Sequence, residues 1–229
     1  MKIIAKIKSD FPGKFGIPRQ SGLIEELTAT VVFEEEFRVD EALRGIEDFT
    51  HLWLIWEFSE NKRDTWSPTV RPPRLGGNKR VGVFATRSSF RPNALGLSSV
   101  KLLGVEKTKE FGTVLHVAGA DLMDGTPVYD IKPYLPFTDS HPEASGSFAE
   151  ERLSYSLKVD IAEDVKKAIP EDKLSAVVKI LESDPRPAYN DDADRIFAFE
   201  YASLHLEFKV SDNTLTLLSV NNINTEKED

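Results

Sequence analysis

The sequence predicts a mainly β protein: a barrel or sandwich over the larger N-terminal part, followed by a small α+β unit. Three observations carry this. Short runs with β-type alternation recur through the first half and are separated by Gly- and Pro-rich turns. No strand–helix alternation of the Rossmann type is visible. A single run with clear helical spacing comes late, between two further strand-like stretches.

In chain order, Lys2–Lys8 (KIIAKIK) alternates polar and apolar residues, and Leu27–Phe33 is rich in β-branched side chains. Asp40 is placed to cap a short helix over Glu41–Ile46, with Gly45 near its end. The aromatic run His51–Phe58 (HLWLIWEF) lies between turn signals and reads as a strand. Val81–Ala85, Ser98–Leu103, Thr113–Ala118 and Arg152–Val159 continue the series. Pro170 stands where a helix can begin. Glu171–Glu182 then sets Leu174, Val177, Val178 and Leu181 at helical spacing, and Asp184-Pro185-Arg186-Pro187 ends it. Ile196–Val210 and Thr214–Val220 read as strands paired across a turn at Ser211–Asn213, and Ser140–Ser147 is a linker or loop.

Composition bounds the chemistry. The chain has 229 residues, 40% hydrophobic and 29% charged, which suits a globular protein with a real core. It has no cysteine, so a disulfide scaffold, a thiolate zinc site and a cysteine nucleophile are excluded together. No stretch approaches the roughly 18 apolar residues of a membrane span, and MKIIAKIKSD has too short an apolar run for a signal peptide. The expected address is cytoplasmic.

The net charge of −9 is unevenly spread. Residues 1–138 hold 19 Lys/Arg against 18 Asp/Glu, so the acidic excess lies in residues 139–229. Within the first part, residues 60–101 carry nine basic groups against only Glu60 and Asp64. A local positive field in an acidic chain points to an anionic ligand. Its composition favours binding over a solvated face. Arg71, Arg74, Arg87 and Arg91 sit among Pro68, Pro72, Pro73, Gly76 and Gly77, beside Trp66, and rigid irregular backbone with forked cations and an aromatic ring suits a nucleotide. The pattern is neither GxxxxGK[ST] nor GxGxxG after a strand.

Two flanking blocks are weaker on their own. Pro18-Arg19-Gln20 offers charge and an amide that can both donate and accept. Asp124-Gly125 reads as a strand-connecting turn. Asp121, Asp124 and Asp130 have neither a histidine at ligand spacing nor the EF-hand spacing, so no metal site is expected. Ser88, Ser89, Ser98 and Ser99 lack a GxSxG elbow, and none of the four histidines suggests a role.

Together, PRQSGL, DFTHLWLIWEF, TVRPPRLGGN, GVFATRSSFRPNALGLSSVKL and ADLMDGTPVYDIKPYLPFTD resemble the TrmO (TsaA-like) family, closely over residues 1–160 and more loosely beyond. Members of that family are tRNA methyltransferases that use S-adenosyl-L-methionine to methylate N6 of threonylcarbamoyladenosine beside the anticodon. The resemblance implies an N-terminal β-barrel domain (1–160), a small α+β C-terminal domain (161–229), and a homodimer with the cofactor near the subunit interface. Carried over by motif, the cofactor contacts are Pro18, Arg19, Gln20, Ser59, Glu60, Arg87, Leu97, Asp124, Gly125, Thr126 and Pro127. Where the family places a histidine and a basic residue after the apolar strand, this chain has Ser59-Glu60 and so loses positive charge.

Methyl transfer from a sulfonium needs alignment with the nucleophile and an acceptor for the N6 proton. Asp124, Tyr129 and Asp130 are the candidate acceptors in the best-matched block. Arg91 and Asn93 are expected near the reacting centre, and Arg71, Arg74, Lys79 and Arg80 against the tRNA phosphates. The rival readings are a non-catalytic RNA-binding barrel, a metal-dependent hydrolase built on the three aspartates, and a methyltransferase of the same fold with another substrate.

Overall fold

The computed structural model describes residues 1–61, 65–72, 79–150, 155–186 and 192–223. Six strands close an antiparallel barrel: β1 (Ala5–Ser9), β2 (Thr28–Phe33), β3 (His51–Glu57), β6 (Leu95–Thr108), β7 (Gly112–Ala118) and β8 (Pro127–Pro133). A two-stranded ribbon, β4 (Thr69–Val70) and β5 (Val81–Gly82), is inserted between β3 and β6. Around the barrel the order is β1-β2-β7-β6-β3-β8, and Ala5 opposite Val128 closes the ring.

Side chains that alternate in burial along the strands fill the interior. Leu52, Leu54 and Trp56 of β3 point inward with Ala5, Ile7, Val31, Val100, Leu115, Val117 and Val128, all buried. A barrel of this size has no lumen, so its stability rests on these side chains, each worth about 1.5–3 kcal/mol when fully buried. Gly96 on β6 lies opposite Trp56, and a Cβ there would overlap the indole. The glycine is what lets a tryptophan occupy one end of so narrow a barrel.

The second unit is a four-stranded sheet in the order β10-β11-β12-β9, from β9 (Lys158–Ile161), β10 (Phe197–Tyr201), β11 (Leu204–Ser211) and β12 (Thr214–Asn222). The pair β12–β9 is parallel and the other two are antiparallel. Helix α3 (Glu171–Glu182) starts at Pro170 as expected and buries Ala176, Val177, Ile180 and Leu181 in this unit's core. Two one-turn helices, α1 (Pro136–Asp139) and α2 (Glu163–Lys166), precede it.

Several boundaries differ from the sequence reading. Asp40 does not cap an α-helix. Asp40–Leu43 and Ile46–Asp48 are 3-10 turns separated by Gly45 in the left-handed conformation, and the Asp40 carboxylate instead accepts from Lys107 and Thr113. The strand expected over Val81–Ala85 stops at Gly82 and becomes a 3-10 turn. The strand expected over Arg152–Val159 is found at Lys158–Ile161 and pairs in the second sheet. Ile196–Val210 is two strands, folded back at Ala202-Ser203.

One loop joins the two units. The segment between β1 and β2 sends Phe11, Ile24 and Leu27 into the core of the C-terminal unit, where Phe11 packs 4.9 Å from the Tyr201 ring. The Ala202 N–H donates to the Asp10 carbonyl at 2.8 Å, and Lys173 pairs with Asp10 at 2.7 Å. Gly16, at φ +84°, lies so close to Phe199 that a Cβ would stand 2.5 Å from its ring.

Candidate active site

At one end of the barrel a cleft of about 480 Å³ is walled by five separate stretches of chain. That is within the ordinary range for a small-molecule site, roughly 300–1,000 Å³. The end of β3 and the residues after it give Trp56 through Glu60, and the antiparallel pairing of β3 with β6 brings Leu95 to Leu97 beside them. The β1–β2 loop contributes Pro18, Arg19 and Gln20. The turn after β5 adds Thr86, Arg87 and Arg91, and the β7–β8 turn adds Asp121 to Met123 with Thr126.

Local hydrogen bonds hold each wall. Arg91 donates from Nη1 to the Val83 and Thr86 carbonyls, at 3.1 and 2.6 Å, which folds the turn after β5 on itself. Arg87 Nη1 donates to Gln20 Oε1, so the arginine turn and the β1–β2 loop are linked across the cleft. In the β7–β8 turn Thr126 Oγ1 donates to the Met123 carbonyl, while Ser9 Oγ donates to the Leu122 carbonyl.

Most residues carried over by motif meet here: Pro18, Arg19, Gln20, Ser59, Glu60, Arg87, Leu97 and Thr126 all form cleft wall. Asp124, Gly125 and Pro127 are adjacent but not part of it. The Asp124 carboxylate is exposed and accepts the Ser9 N–H at 3.0 Å, so it pins the turn to the end of β1. Of the other proposed proton acceptors, Tyr129 donates its hydroxyl to Glu57 at 2.6 Å, a bond that holds its pKa above the usual phenolic value. Asp130 pairs with Lys132 at 2.9 Å and accepts its neighbour's N–H. Asn93, Arg71, Lys79 and Arg80 are exposed outside the cleft, while Arg74 lies outside the described residues.

Sequence reasoning gave Asp121 a role only in the rival metal-dependent hydrolase and none in methyl transfer. Its carboxylate Oδ1 accepts Ser98 Oγ at 2.6 Å, and that hydroxyl accepts the Trp56 indole N–H at 2.9 Å. Burial raises the Asp121 pKa above the ordinary carboxylate value, against the lowering pull of Ser98 and of Arg87. One signal for it exists in the sequence: Asp121 is the single charged residue of the run VAGADLM. Among the described residues, no three His, Asp or Glu side chains gather as a metal site would require.

Beside the cleft, Trp66 and Phe84 are exposed and stacked, with centroids 6.1 Å apart at 26°. The Arg91 guanidinium lies 5.5 Å above the Phe84 ring. An aromatic pair left open to solvent beside a cleft is a surface for stacking a flat partner.

The cleft's donor set fits S-adenosylmethionine. Trp56, Leu97, Leu122 and Met123 offer apolar area for a purine, Arg19, Arg87 and Arg91 suit a carboxylate, and Glu57 and Glu60 suit hydroxyls and cationic groups.

Comparison with known proteins agrees. The family model for the tRNA-methyltransferase O N-terminal domain matches residues 6–140, and that for the TrmO C-terminal domain matches residues 154–223. A tRNA (adenine(37)-N6)-methyltransferase of Escherichia coli is 39% identical over 218 residues, covering 91% of this chain and 92% of the relative. A protein of Pyrococcus abyssi described as a "probable S-adenosyl-L-methionine-binding protein" is 38% identical over 136 residues, 59% of this chain and 68% of that one. The crystal structure of TrmO from Pseudomonas aeruginosa superposes with a TM-score of 0.76 at 30% identity, covering 95% of this chain and 96% of that chain. The chain therefore belongs to the TrmO family of tRNA methyltransferases.

Proposed function

We propose that this protein transfers the methyl group of S-adenosylmethionine to N6 of an adenosine in tRNA, at position 37, the position named for its Escherichia coli relative, and that the adenosine carries the threonylcarbamoyl group. The observation that carries this reading is the cleft. Residues as far apart in sequence as Pro18, Glu60, Arg87 and Thr126 converge on a volume suited to one nucleoside-sized ligand. When bound, S-adenosylmethionine supplies an electrophilic methyl with its leaving group already attached. The chain's own task is then to orient the acceptor nitrogen, exclude water and take up one proton.

The acceptor side is supported by the exposed cations Arg71, Lys79 and Arg80 and by the Trp66–Phe84 pair. Cations meet phosphates without reading sequence, and the ring pair stacks a base neighbouring the one that enters the cleft. Ser59 and Glu60 keep their place in the wall. Glu60 there suits ribose hydroxyls or the amino group of the donor, in place of the cations usual in the family.

We divide the chain into a catalytic barrel unit and a C-terminal unit that begins ahead of Lys158, since β9 pairs in the second sheet. Two copies are proposed to associate near the cleft, which is supported by Leu97, an apolar wall residue that is 52% exposed. A tRNA substrate makes the cytoplasm its place of work. No helix among the described residues is long and apolar enough to cross a membrane.

Mass spectrometry of tRNA nucleosides from cells with and without the gene tests the substrate. Methylated threonylcarbamoyladenosine should disappear on deletion, and an unchanged level would defeat that substrate. Calorimetric binding of S-adenosylmethionine separates this reading from a non-catalytic RNA-binding barrel, which would show no heat.

A further inference from the structure

Loss of the N6 proton is the one step of the proposed reaction that alignment alone does not supply. The nitrogen belongs to a urea-like group, and its lone pair is delocalised while the proton stays. A base must therefore reach it, and the cleft presents few. Asp124 is held by the Ser9 N–H outside the wall, Asp130 is paired with Lys132, and the Tyr129 hydroxyl is already committed as a donor to Glu57.

Asp121 is different in every respect. It is partly buried in the cleft wall at the barrel's end, and its orientation is fixed from behind. The Trp56 indole N–H can only donate, so the Ser98 hydroxyl it meets must turn its own proton to Asp121. Ser98 is fully buried, so this two-bond strut cannot swing away. A carboxylate has about four acceptor positions, and the Ser98 hydroxyl fills one of them, so the carboxylate can still take a ligand's proton. The charged groups facing the cleft from its other walls are Arg87, the cation acting on it directly, with Arg19, Arg91 and Lys14, and the carboxylates Glu57 and Glu60.

We propose that Asp121 is a catalytic residue that accepts the N6 proton as the methyl group arrives; this rests on the methyltransferase reading above. The N6–CH3 bond forms as the S–CH3 bond breaks. The electron pair of the broken bond stays on sulfur, leaving a neutral thioether, and the N6 proton passes to Asp121. The base must be ionised to act. Because burial lifts its pKa, the acid limb of the rate lies above the ordinary carboxylate range, and activity falls as pH drops through it.

The test compares wild type with Asp121→Asn and Asp121→Glu in single-turnover methylation of threonylcarbamoylated tRNA at saturating S-adenosylmethionine. Calorimetry gives the affinities for S-adenosylmethionine and its demethylated product, and carbon NMR follows the Asp121 carboxyl in the free protein. Loss of a general base predicts about a 100- to 10,000-fold slower step for Asp121→Asn, with cofactor affinity changed by no more than about threefold. The wild-type acid limb should coincide with the titration seen by NMR, and Asp121→Glu should restore part of the rate. Asp121→Asn methylating at the wild-type rate at saturating cofactor would overturn the proposal. An acid limb left in place in Asp121→Asn, or a defect confined to cofactor affinity, would do the same. If wild type methylates no tRNA, the broader reading fails first and this one with it.

Discussion

The two hydrophobic cores of this protein are built on different terms. The C-terminal core, around Phe197, Phe199, Leu206, Phe208, Val177 and Ile180, is apolar except for the Tyr201 hydroxyl. The barrel core is apolar along its length, but near the cleft it admits Ser98 and Thr126, the two fully buried polar residues among those described. Burying a hydroxyl costs free energy unless its hydrogen bonds are made. Both are made: Ser98 bridges Trp56 to Asp121, and Thr126 closes the turn on the Met123 carbonyl. The barrel therefore accepts polar groups where it meets the cleft. The C-terminal unit contributes no residue to the lining of that cleft. What it does is grip Phe11, Ile24 and Leu27, so that the loop carrying Pro18, Arg19 and Gln20 is anchored at both ends in a second core. One unit holds the chemistry and the other holds a wall of it.

Breaking that division should have its largest effect at Phe199. The ring packs edge-to-face against Phe208 in the C-terminal core and closes over Gly16 in the β1–β2 loop. Phe199→Ala should cost about 3–5 kcal/mol of folding stability in denaturant titrations, as large-to-small aromatic changes do. It should also weaken S-adenosylmethionine binding, because the wall at Pro18 to Gln20 loses its backing. Phe208→Ala, with a similar folding cost, is the control. Equal cofactor affinity in the two variants would mean that the C-terminal unit merely sits beside the loop.

The next effect concerns the barrel side alone. Trp66→Ala or Phe84→Ala removes half of an exposed stacked pair, so folding should be nearly untouched. Base stacking on such a ring is worth about 1–3 kcal/mol, so tRNA affinity should fall by roughly 5- to 150-fold. S-adenosylmethionine affinity measured on the same samples should stay put. A cofactor loss equal to the tRNA loss would move the pair from the RNA face to the cofactor site.

The same contrast governs how much could be read from the sequence. Helix α3 was legible because a buried face imposes a period of 3.6 on EDKLSAVVKILE, and β3 because an aromatic apolar run between turn signals is the length of a strand, although the alternation of its burial is not visible in HLWLIWEF. The hairpin at Ala202-Ser203 was not. Both residues take positive φ, 51° and 62°, without the Gly, Asn or Asp that normally announces such a turn, whereas Asp212-Asn213 does announce one. Val81–Ala85 misled for the opposite reason, since an apolar run says nothing about where backbone pairing stops. In the site, the residue types were visible and their directions were not. Asp121, Asp124 and Asp130 are equivalent by spacing, and only barrel closure decides that Asp121 faces the cleft while Asp124 caps the end of β1.

A third perturbation should stay within the C-terminal unit. Asp184, at the end of α3 with φ +57°, forks onto Arg186 at 2.8 Å and accepts from Tyr155 at 2.9 Å. Burial works to raise its pKa, but the guanidinium and the phenol outweigh it and hold the carboxyl below its ordinary value. A depressed carboxylate contributes stability above its unfolded pKa and loses it as pH falls through the folded one. Asp184→Asn can keep the left-handed backbone but not the charge. It should cost about 1–2 kcal/mol at neutral pH and flatten part of the acid denaturation limb below the usual carboxylate pKa. Neither cofactor nor tRNA affinity should change.

The smallest expected effect lies at Arg80. Its guanidinium donates to Thr69 Oγ1 at 2.9 Å across the β4–β5 ribbon and is otherwise exposed. A single exposed hydrogen bond of this kind stabilises a fold very little, so Arg80→Ala should fold normally. If the ribbon presents Arg80 to a phosphate, the variant should bind tRNA a few-fold more weakly at low salt. The slope of log affinity against log salt should fall by about 1. Release of counterions is what distinguishes this from a lost stacking contact: Trp66→Ala should lower affinity by a similar factor at every salt concentration, leaving the slope intact. Parallel salt titrations of the two variants therefore separate the phosphate-facing part of the basic stretch from its base-facing part. An unchanged slope in Arg80→Ala would take Arg80 out of the tRNA interface while leaving the Trp66–Phe84 surface in it.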